Sequence, residues 1–573
     1  MMLTLHDPQK TRENYASGAW HADTMFGLLQ QHAHARPDSI ALRDLFTTLT
    51  WSRVLQAVEQ LALELHQAGL SAGDRVAIWL PSRVESVLVF MACSRNGYVC
   101  CPSLHQSYTS GEIITLLKRI RCKAFFTTLG YGSDAATQPI ATLLSEVPTL
   151  IRTCFYGATF ADATQTIEHQ AVEHPTTPHQ TIDQGTTGLA TIAGAASAPG
   201  LPPADTNPDK IVYLAFTSGT TGLPKGVMHS DNTLLANGRM MVRDWHHDQH
   251  SILVALSPLS HHIGTVSIEQ WLAAGLQLVI HNFAAGKPAL DWIIESQGTY
   301  VMGVPTHAMD ILEDVRRRSL TAMGKVTSFY MAGSPIPREV AEQFLRIGVT
   351  PQNVYGMTEN GSHQYTLPTD PTSTIVATCG RAAQGYEVRI FDAEHPDHEV
   401  AQGQVGEIGG RGGLLMLGYF DDQTATENSF NRSGWFMSGD LGVFDEQGCL
   451  QIVGRKKDLI IRGGHNIHPA RIEDLTHRHP DVVKAAVFPI ADERLGERVC
   501  LSILQRAGAT IDPQQVLQHL HEVGLSKYDM PEYFIVLPAF PLTASGKILK
   551  RELIEMTKRG DIKPLPVRWK APA

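Results

Sequence analysis

Apolar side chains recur along the first part of the chain at the two spacings that distinguish helices from strands. Between residues 51 and 69 they follow helical spacing, and Gly69 is placed to end the helix. These apolar residues are Val54, Leu55, Val58, Leu61, Ala62 and Leu65. A continuous apolar run at 76–80 predicts a buried strand, and residues 83–96 predict another helix. This alternation predicts parallel sheets that are covered by helices.

The predicted elements become smaller after about residue 455. The predicted strands span 482–490 and 499–504, and the predicted helices span 512–522 and 548–559. They predict a small α+β domain, residues 456–573, which follows an α/β domain of residues 1–455. Residues 175–209 are dominated by Gly, Ala, Thr and Pro and are expected to form a surface loop rather than a domain.

The composition is that of a large globular protein. With 573 residues the chain exceeds what one hydrophobic core usually serves, so two or more domains are expected. The net charge is −10 and no run is rich in Lys and Arg, which argues against a nucleic-acid partner. No stretch approaches the roughly 20 apolar residues of a membrane-spanning helix. The N-terminus meets a charge at Asp7 and does not resemble a secretory signal.

The eight cysteines are scattered, and Cys100 and Cys101 form the only close pair. No C-x-x-C motif or Cys/His cluster has the spacing of a metal site. We expect these cysteines to be reduced core residues, and we predict a cytoplasmic protein.

A loop rich in small hydroxyl residues follows the apolar run 211–216 and is the strongest chemical signal in the chain. It contains Thr217, Ser218, Gly219, Thr220, Thr221, Gly222 and Lys225. Small residues with accessible backbone N–H groups and one cation suit a phosphate-binding loop. The common P-loop spacing requires a Gly where Pro224 stands, so this loop would bind a triphosphate in another way. The alternative is a surface loop without a ligand.

Three further segments have the composition of a nucleotide site. They carry Gly333, Ser334 and Pro335 in a turn, Tyr355, Gly356, Thr358 and Glu359 in a second segment, and Asp440 in a third. The turn could bring backbone close to a flat ring, and the aromatic ring of the second segment could stack on adenine. A hydroxyl and a carboxylate suit hydrated Mg²⁺, and an aspartate suits ribose hydroxyls. Taken singly, each segment could instead be a core aromatic or an ordinary turn.

Taken together and in this order, these motifs resemble the adenylate-forming superfamily of acyl-CoA synthetases, adenylation domains and firefly-type luciferases. The resemblance extends from about residue 24 to 555 and rests on the segments 217–226, 355–359, 434–440, 454–458, 462–464 and 542–547. It implies an N-terminal body of α/β subdomains with a β-barrel-like part and a small, mobile α+β C-terminal domain. The N-terminal pattern from Arg12 to Trp20 is more similar to aryl-acid and alicyclic-acid ligases than to acetyl-CoA synthetases.

In that family a carboxylate attacks the α-phosphorus of ATP, pyrophosphate leaves, and the thiol of CoA then displaces AMP. Two anions meet in the first step, so catalysis consists mainly of positioning and charge neutralisation. The resemblance implies that Lys547 is the catalytic lysine, that Thr358 faces the α-phosphate and that Glu359 holds Mg²⁺. It assigns the ribose hydroxyls to Asp440 and Arg455, the adenine to Tyr355 and the pocket wall to Gly333. The alternative for Lys547 is a solvated lysine on a polar loop.

The resemblance also implies that the small domain rotates between the two steps. The hinge would be Lys457 by its position, with Asp458 as the adjacent alternative. The turn with Gly463 and Gly464 would then replace Lys547 near the site, where its glycines would admit the pantetheine arm of CoA.

The family pattern assigns the acyl pocket to His261, His262, Gly303, Met331 and Ala332. An apolar pocket with a histidine at its mouth suits a cyclic, aromatic or medium-chain acid. A core or surface histidine pair is the alternative interpretation. The acceptor could be CoA or the phosphopantetheine of a carrier protein, a non-catalytic nucleotide-binding relative is a third hypothesis, and a homodimer stays open.

Overall fold

The computed structural model describes residues 4–5, 7–157, 200–217, 224–543 and 546–569, which fold into helices and four sheets. The helices are α1 Pro8–Ala16, α2 Met25–Ala35, α3 Trp51–Gln67, α4 Val84–Asn96, α5 Ser110–Arg119, α6 Asp231–Trp245, α7 His262–Ala274, α8 Ala289–Glu295, α9 Pro305–Arg317, α10 Arg338–Arg346, α11 Thr372–Ala377, α12 Gln423–Glu427, α13 Pro469–Thr476, α14 Pro513–Glu522 and α15 Lys550–Arg559.

The strands are β1 Ile40–Arg43, β2 Thr48–Thr50, β3 Arg75–Trp79, β4 Val99–Cys101, β5 Ala124–Thr128, β6 Arg152–Tyr156, β7 Ile211–Thr217, β8 Lys225–Ser230, β9 Ile252–Ala255, β10 Gln277–Ile280, β11 Tyr300–Gly303, β12 Ser328–Met331, β13 Thr350–Met357, β14 Gly361–Tyr365, β15 Arg381–Ala382, β16 Tyr386–Phe391, β17 Gly406–Gly412, β18 Phe436–Phe444, β19 Leu450–Arg455, β20 Ile460–Arg462, β21 His465–Ile467, β22 Val482–Asp492, β23 Gly496–Gln505, β24 Tyr533–Val536 and β25 Leu565–Pro566.

The N-terminal part contains two large sheets that are mostly parallel. The larger has the strand order β15-β14-β13-β12-β11-β9-β10-β1-β2, and only its outer pairings β13–β14, β14–β15 and β1–β2 are antiparallel. The second has the order β6-β5-β3-β4-β7-β8 and is parallel up to the antiparallel pair β7–β8. Helices cover both sheets, as the alternating pattern predicts.

The helices and strands predicted near the N-terminus lie close to the expected bounds. The Thr50 side chain accepts a hydrogen bond from the Arg53 N–H at the start of α3, and Gly69 takes a left-handed φ of 93° just after its end. Only glycine adopts that conformation without strain, which is why this helix ends there. Strand β3 and helix α4 follow with nearly every side chain buried, because α4 is enclosed by other helices as well as by a sheet.

The part expected to resemble a barrel is an open antiparallel sheet of order β16-β17-β18-β19. No closed barrel occurs among the residues that the structure describes. A cylinder of so few strands would leave no interior space for side chains, so the sheet buries one face instead. That face packs on a small core that includes Tyr355, Ile390, Ile408 and Leu450.

Beyond Arg455, a 3-10 turn at Lys456–Asp458 leads into a further, mostly antiparallel sheet. Its strand order is β21-β20-β23-β24-β25, with β22 paired to β23. Strands β22 and β23 are longer than the apolar runs predict, because they pair with each other beyond the buried part of the domain. Helices α13 and α14 cover this sheet and close a separate core.

Most of the predicted surface loop 175–209 lies outside the described residues. The portion from 200 to 209 contains no helix or strand. All eight cysteines are buried with free thiols, as expected for core residues. In the part of the chain that the structure describes, no helix has the length and apolar character needed to cross a membrane.

Candidate active site

Several of the predicted site residues lie along one edge of the large sheet. Strands β9, β11, β12 and β13 run parallel, so the loops that follow their carboxyl ends emerge together. These loops carry His261, Gly333, Thr358 and Glu359. The β7–β8 hairpin adds Lys225 from the second sheet, and the small domain adds Lys547.

The proposed phosphate loop joins two antiparallel strands, with Thr217 paired to Lys225 across the hairpin. In a P-loop the corresponding segment leads from a strand into a helix, so the hairpin explains why the common spacing fails. The ammonium group of Lys225 lies 4.6 Å from the centre of the Tyr419 ring. The candidates Ser218, Gly219, Thr220, Thr221 and Gly222 lie outside the described residues.

Thr358 and Glu359 lie in the tight turn between β13 and β14. One Glu359 carboxylate oxygen accepts a hydrogen bond from the Tyr419 hydroxyl at 3.0 Å. Burial raises the pKa of Glu359, and the Tyr419 bond and the Lys225 charge oppose that rise. The Thr358 carbonyl accepts a 2.7 Å hydrogen bond from Nε2 of His229. The turn is therefore tied to Tyr419 on one side and to His229 of β8 on the other.

Asp440 and Arg455 face each other on the paired strands β18 and β19. The Asp440 carboxylate is 7% exposed, lies 3.2 Å from Nε of Arg455 and accepts a 3.0 Å hydrogen bond from the Tyr355 hydroxyl. Burial raises the pKa of Asp440, and the charge of Arg455 opposes that rise most strongly. Tyr355 thus connects the expected adenine position to the expected ribose position.

Lys547 reaches this site from the small domain. A methyl group in place of the Gly333 hydrogen would lie 2.6 Å from Cε and 3.2 Å from Nζ of Lys547, so a larger residue there would push the end of the lysine side chain away. The preceding residue is seated on the large domain, because the Thr306 hydroxyl donates a 2.7 Å hydrogen bond to the Gly546 carbonyl. Burial and the Arg455 charge lower the pKa of Lys547 to about 8, whereas Asp440 raises it.

The two candidate pocket histidines belong to two stacked pairs. His261 stacks on His105 with ring centres 4.3 Å apart, and His262 stacks on His229 at 5.5 Å. Nε2 of His261 is buried and has no hydrogen-bond partner among the residues that the structure describes. Burial lowers the pKa of His261 well below its usual range, and His105 and Lys547 add to that effect. The rings of His261 and His262 are therefore neutral near pH 7.

The strand register divides the remaining pocket candidates between two faces of the sheet. Gly303 pairs with Met331, and Met331 is buried in the core cluster that contains Phe329. Ala332 belongs instead to the cluster with Met302 and with α7, the helix that begins at His262. Because successive residues alternate between faces, Gly303 and Met331 do not share the face of Ala332. Met302 and Tyr330 occupy that face.

The other candidates have local structural roles. A side chain at Gly356 would overlap the Gly361 carbonyl oxygen across the β13–β14 hairpin. Ser334 and Pro335 are exposed beside Gly333. Gly463 and Gly464 form the left-handed turn between β20 and β21, where the Gly463 N–H bonds to the Leu495 carbonyl. The described contacts of this turn lie within the small domain rather than at Lys547.

Four contributors to the site carry no local signal in the sequence. They are Tyr419, His229, His105 and Thr306. Their site contacts join residues far apart in the chain, such as Tyr419 with Glu359, so only the fold reveals them. Within the described residues, no group of three or more His, Cys, Asp and Glu could hold a metal ion without help from a ligand.

Comparisons with known proteins agree with this geometry. The family model for AMP-binding enzymes matches residues 29–420, and the model for the C-terminal domain of AMP-binding enzymes matches residues 471–547. The medium-chain fatty-acid–CoA ligase of Escherichia coli K12 is 30% identical over 96% of this chain and 93% of that protein. The mitochondrial medium-chain acyl-CoA ligase ACSF2 of Homo sapiens is 29% identical over 89% of this chain and 83% of that protein. The crystal structure of ATP-bound MatB from Rhodopseudomonas palustris superposes with a TM-score of 0.76 at 26% identity, covering 93% of this chain and 99% of that one.

Proposed function

The chain belongs to the AMP-binding enzyme family and is an AMP-forming acyl-CoA ligase, and we propose which residues carry its two steps. In the first step a carboxylate oxygen bonds to the α-phosphorus of ATP and the bond to pyrophosphate breaks. In the second step the sulfur of CoA bonds to the acyl carbon, AMP leaves, and the thiol proton is released.

The observation that carries the assignment is the position of Lys547, held against Gly333 and close enough to Asp440 for their charges to interact. An ammonium group here would bridge the carboxylate and the α-phosphate, whose mutual repulsion is the main obstacle to the first step. Thr358 would contact the α-phosphate. Lys225 would offset the charge of the departing pyrophosphate from its place beside Tyr419.

The nucleoside would be held by the paired strands β18 and β19. Asp440 and Arg455 are placed to bind the ribose hydroxyls, and Tyr355 to flank the adenine. This role explains the burial of Asp440, since a carboxylate shielded from water makes stronger hydrogen bonds to a ligand.

Glu359 is the residue that would hold Mg²⁺. Mg²⁺ is commonly bound through one or two carboxylates together with phosphate oxygens and water, and a single half-buried carboxylate fits that mode. When bound, the ion would neutralise charge on the triphosphate. Tyr419 would orient the carboxylate through its hydrogen bond.

The acid is proposed to be cyclic, aromatic or medium-chain. The proposed pocket lies along α7, where His261 and His262 stand at the mouth and Met302 and Tyr330 lie on the facing sheet. The curated relatives named for medium-chain acids support the last of these classes. The hinge is proposed at Lys457, within the 3-10 turn Lys456–Asp458, and the domain boundary is proposed at residue 456.

The two half-reactions test these roles separately. Pyrophosphate release would be measured over aromatic, alicyclic and C2–C12 acids, with and without CoA. We expect Lys547→Ala to lose acyl-adenylate formation by a factor of at least about 100, by analogy with other cations and donors aimed at developing charge. The same variant should still transfer the acyl group from supplied acyl-AMP to CoA. An equal loss of both half-reactions would refute the role of Lys547.

A further inference from the structure

One face of α9 contacts the small domain at three successive turns. Thr306, Asp310 and Glu313 are four and three residues apart, so they share one side of the helix. The Thr306 hydroxyl bonds to the Gly546 carbonyl at 2.7 Å, an Asp310 carboxylate oxygen lies 2.9 Å from Nζ of Lys484, and a Glu313 carboxylate oxygen lies 2.5 Å from a guanidinium nitrogen of Arg506.

On the small domain, Lys484 and Arg506 lie at the same end of the β22–β23 hairpin. Lys484 pairs with Leu504 in the strand register, and Arg506 follows β23 directly. The Arg506 N–H bonds to the Asp481 carbonyl at 2.7 Å, which fixes it beside the start of β22. Two cations on one rigid hairpin therefore meet two carboxylates on one rigid helix.

We propose that this face of α9 holds the small domain in the pose that presents Lys547, and that Lys484 and Arg506 are positioning residues for acyl-adenylate formation. The inference rests on the proposed role of Lys547. Neither cation touches a reactant: each acts through the docking of its domain.

The burial of Lys484 supports this role. Its side chain is 9% exposed, and its ion-pair partner is Asp310 of the large domain, whose side chain is 61% exposed. Removing one partner from such a pair leaves a charge with little water around it, which is strongly unfavourable. The loss of Asp310 should therefore disfavour this pose specifically, because the Lys484–Asp310 pair joins the two domains only while the small domain is docked on α9.

The same helix also seats the loop that carries the catalytic lysine. His307 lies next to Thr306 in the first turn of α9, and its Nε2 is 3.3 Å from the position of a methyl group on Gly546. The Lys484 charge contributes to the lowered pKa of His307, after burial and His281, which indicates that Lys484 lies close to this seat. The hairpin and the Lys547 loop are therefore docked on the same helix.

The test compares the two half-reactions in the full-length enzyme. For Lys484→Met and for Asp310→Asn, we expect acyl-adenylate formation in a single turnover to fall by about 5- to 150-fold, the usual range of couplings between distant sites. Acyl transfer from supplied acyl-AMP to CoA should stay within about twofold of wild type or become faster. That second half-reaction also reports that the variant is folded.

Two further variants separate docking from simple loss of charge. Lys558→Met removes a lysine–glutamate pair within α15 and should leave both half-reactions unchanged. The double variant Asp310→Lys with Lys484→Asp restores a pair of reversed sign and should recover much of the lost adenylation.

The proposal would be overturned by equal losses in both half-reactions. It would also be overturned if Lys484→Met or Asp310→Asn caused no loss of acyl-adenylate formation. If the wild-type enzyme itself formed no acyl-adenylate with any acid tested, the proposed function would fail instead. The two failures are therefore distinguishable.

Discussion

Lys547 must carry a proton to bridge two anions, yet its surroundings favour the neutral amine. Burial lowers its pKa to about 8 in the unliganded site. The protonated form is present below that pH and is lost as the pH rises through it. We therefore expect kcat/KM for acyl-adenylate formation, which reports the free enzyme, to fall about tenfold per pH unit above pH 8.

The measurement is single-turnover pyrophosphate release without CoA, which avoids titration of the CoA thiol. In Lys547→Arg, whose guanidinium stays charged at every accessible pH, the remaining activity should not decline between pH 8 and 9.5. The same decline in both proteins would mean that another group is responsible.

A second titratable group lies deeper, on α7. Glu269 is fully buried, and burial raises its pKa to about 8, although the Asn237 amide donates a 2.6 Å hydrogen bond to it. A carboxyl group with a raised folded-state pKa favours folding while it is protonated, and this stability is lost as the pH rises from about 4.5 to about 8.

Glu269→Gln keeps an acceptor for Asn237 and cannot ionise. We expect the variant to unfold at a higher temperature than the wild type by pH 8, where the difference in unfolding free energy is on the order of a few kcal/mol. The difference should be small at pH 5, grow with pH and level off above pH 8. A difference that does not change with pH would contradict a titrating Glu269.

At the scale of single residues, the sequence is informative where one motif supplies a whole chemical function. Asp440, Arg455 and Lys547 could be predicted in this way, and the structure brings their charges together. Tyr419 and His229 could not, because their role is to hold Glu359 and Thr358 through contacts across the fold. Whether each predicted residue binds its assigned ligand group stays a prediction.

At the scale of elements, the loop before α15 fits the first turn of α9 only through a glycine. Gly546 has a φ of 81°, and a methyl group there would lie 2.8 Å from the Thr306 hydroxyl oxygen. In Gly546→Ala, a left-handed backbone conformation costs about 1–2 kcal/mol, and the clash with Thr306 adds to that cost. The clash exists only while the small domain is docked. We expect acyl-adenylate formation to fall more than about tenfold, with acyl transfer from supplied acyl-AMP largely retained.

Gly560 provides the matched control. It ends α15 with a φ of 79°, and a methyl group there would meet no atom within 4 Å. Gly560→Ala should therefore have the backbone strain without a clash. We expect a lower unfolding temperature and an unchanged ratio between the rates of the two half-reactions. If the two alanine variants behaved alike, the contact with Thr306 would have no role in docking.

Periodicity predicts individual elements well but not their partners. Segment 83–96 gives the α4 helix within one residue, whereas nothing in the run 211–216 indicates that β7 pairs with β8 in a hairpin. The pocket residues could not be assigned from the sequence either, because strand register decides which face they lie on. Met331 and Ala332 are neighbours in sequence but belong to different core clusters. Pairing depends on contacts between distant segments, which hydrophobic patterning does not encode.

At the scale of the whole molecule, the two α9 ion pairs should respond differently to salt. The side chains of Arg506 and Glu313 are 30% and 37% exposed, so dissolved ions reach both partners, whereas Lys484 is 9% exposed and only its partner Asp310, at 61%, is open to solvent. Screening weakens exposed pairs much more than buried ones, and the Debye length falls from about 14 Å to about 4 Å between 0.05 and 0.5 M salt. We therefore expect the rate of acyl-adenylate formation at saturating ATP to fall as the salt concentration rises, chiefly because the Arg506–Glu313 pair weakens.

The rates of wild type, Arg506→Met and Lys484→Met would be compared over that range of salt. Arg506→Met should start lower and decline less steeply, because the salt-sensitive pair is already absent. Lys484→Met should start lower and keep the wild-type slope, because its exposed pair is intact. Equal slopes in all three proteins would mean that salt acts elsewhere, for example on the bound triphosphate. If instead Lys484→Met lost the salt dependence and Arg506→Met kept the wild-type slope, the Lys484–Asp310 pair would set the ionic sensitivity of docking.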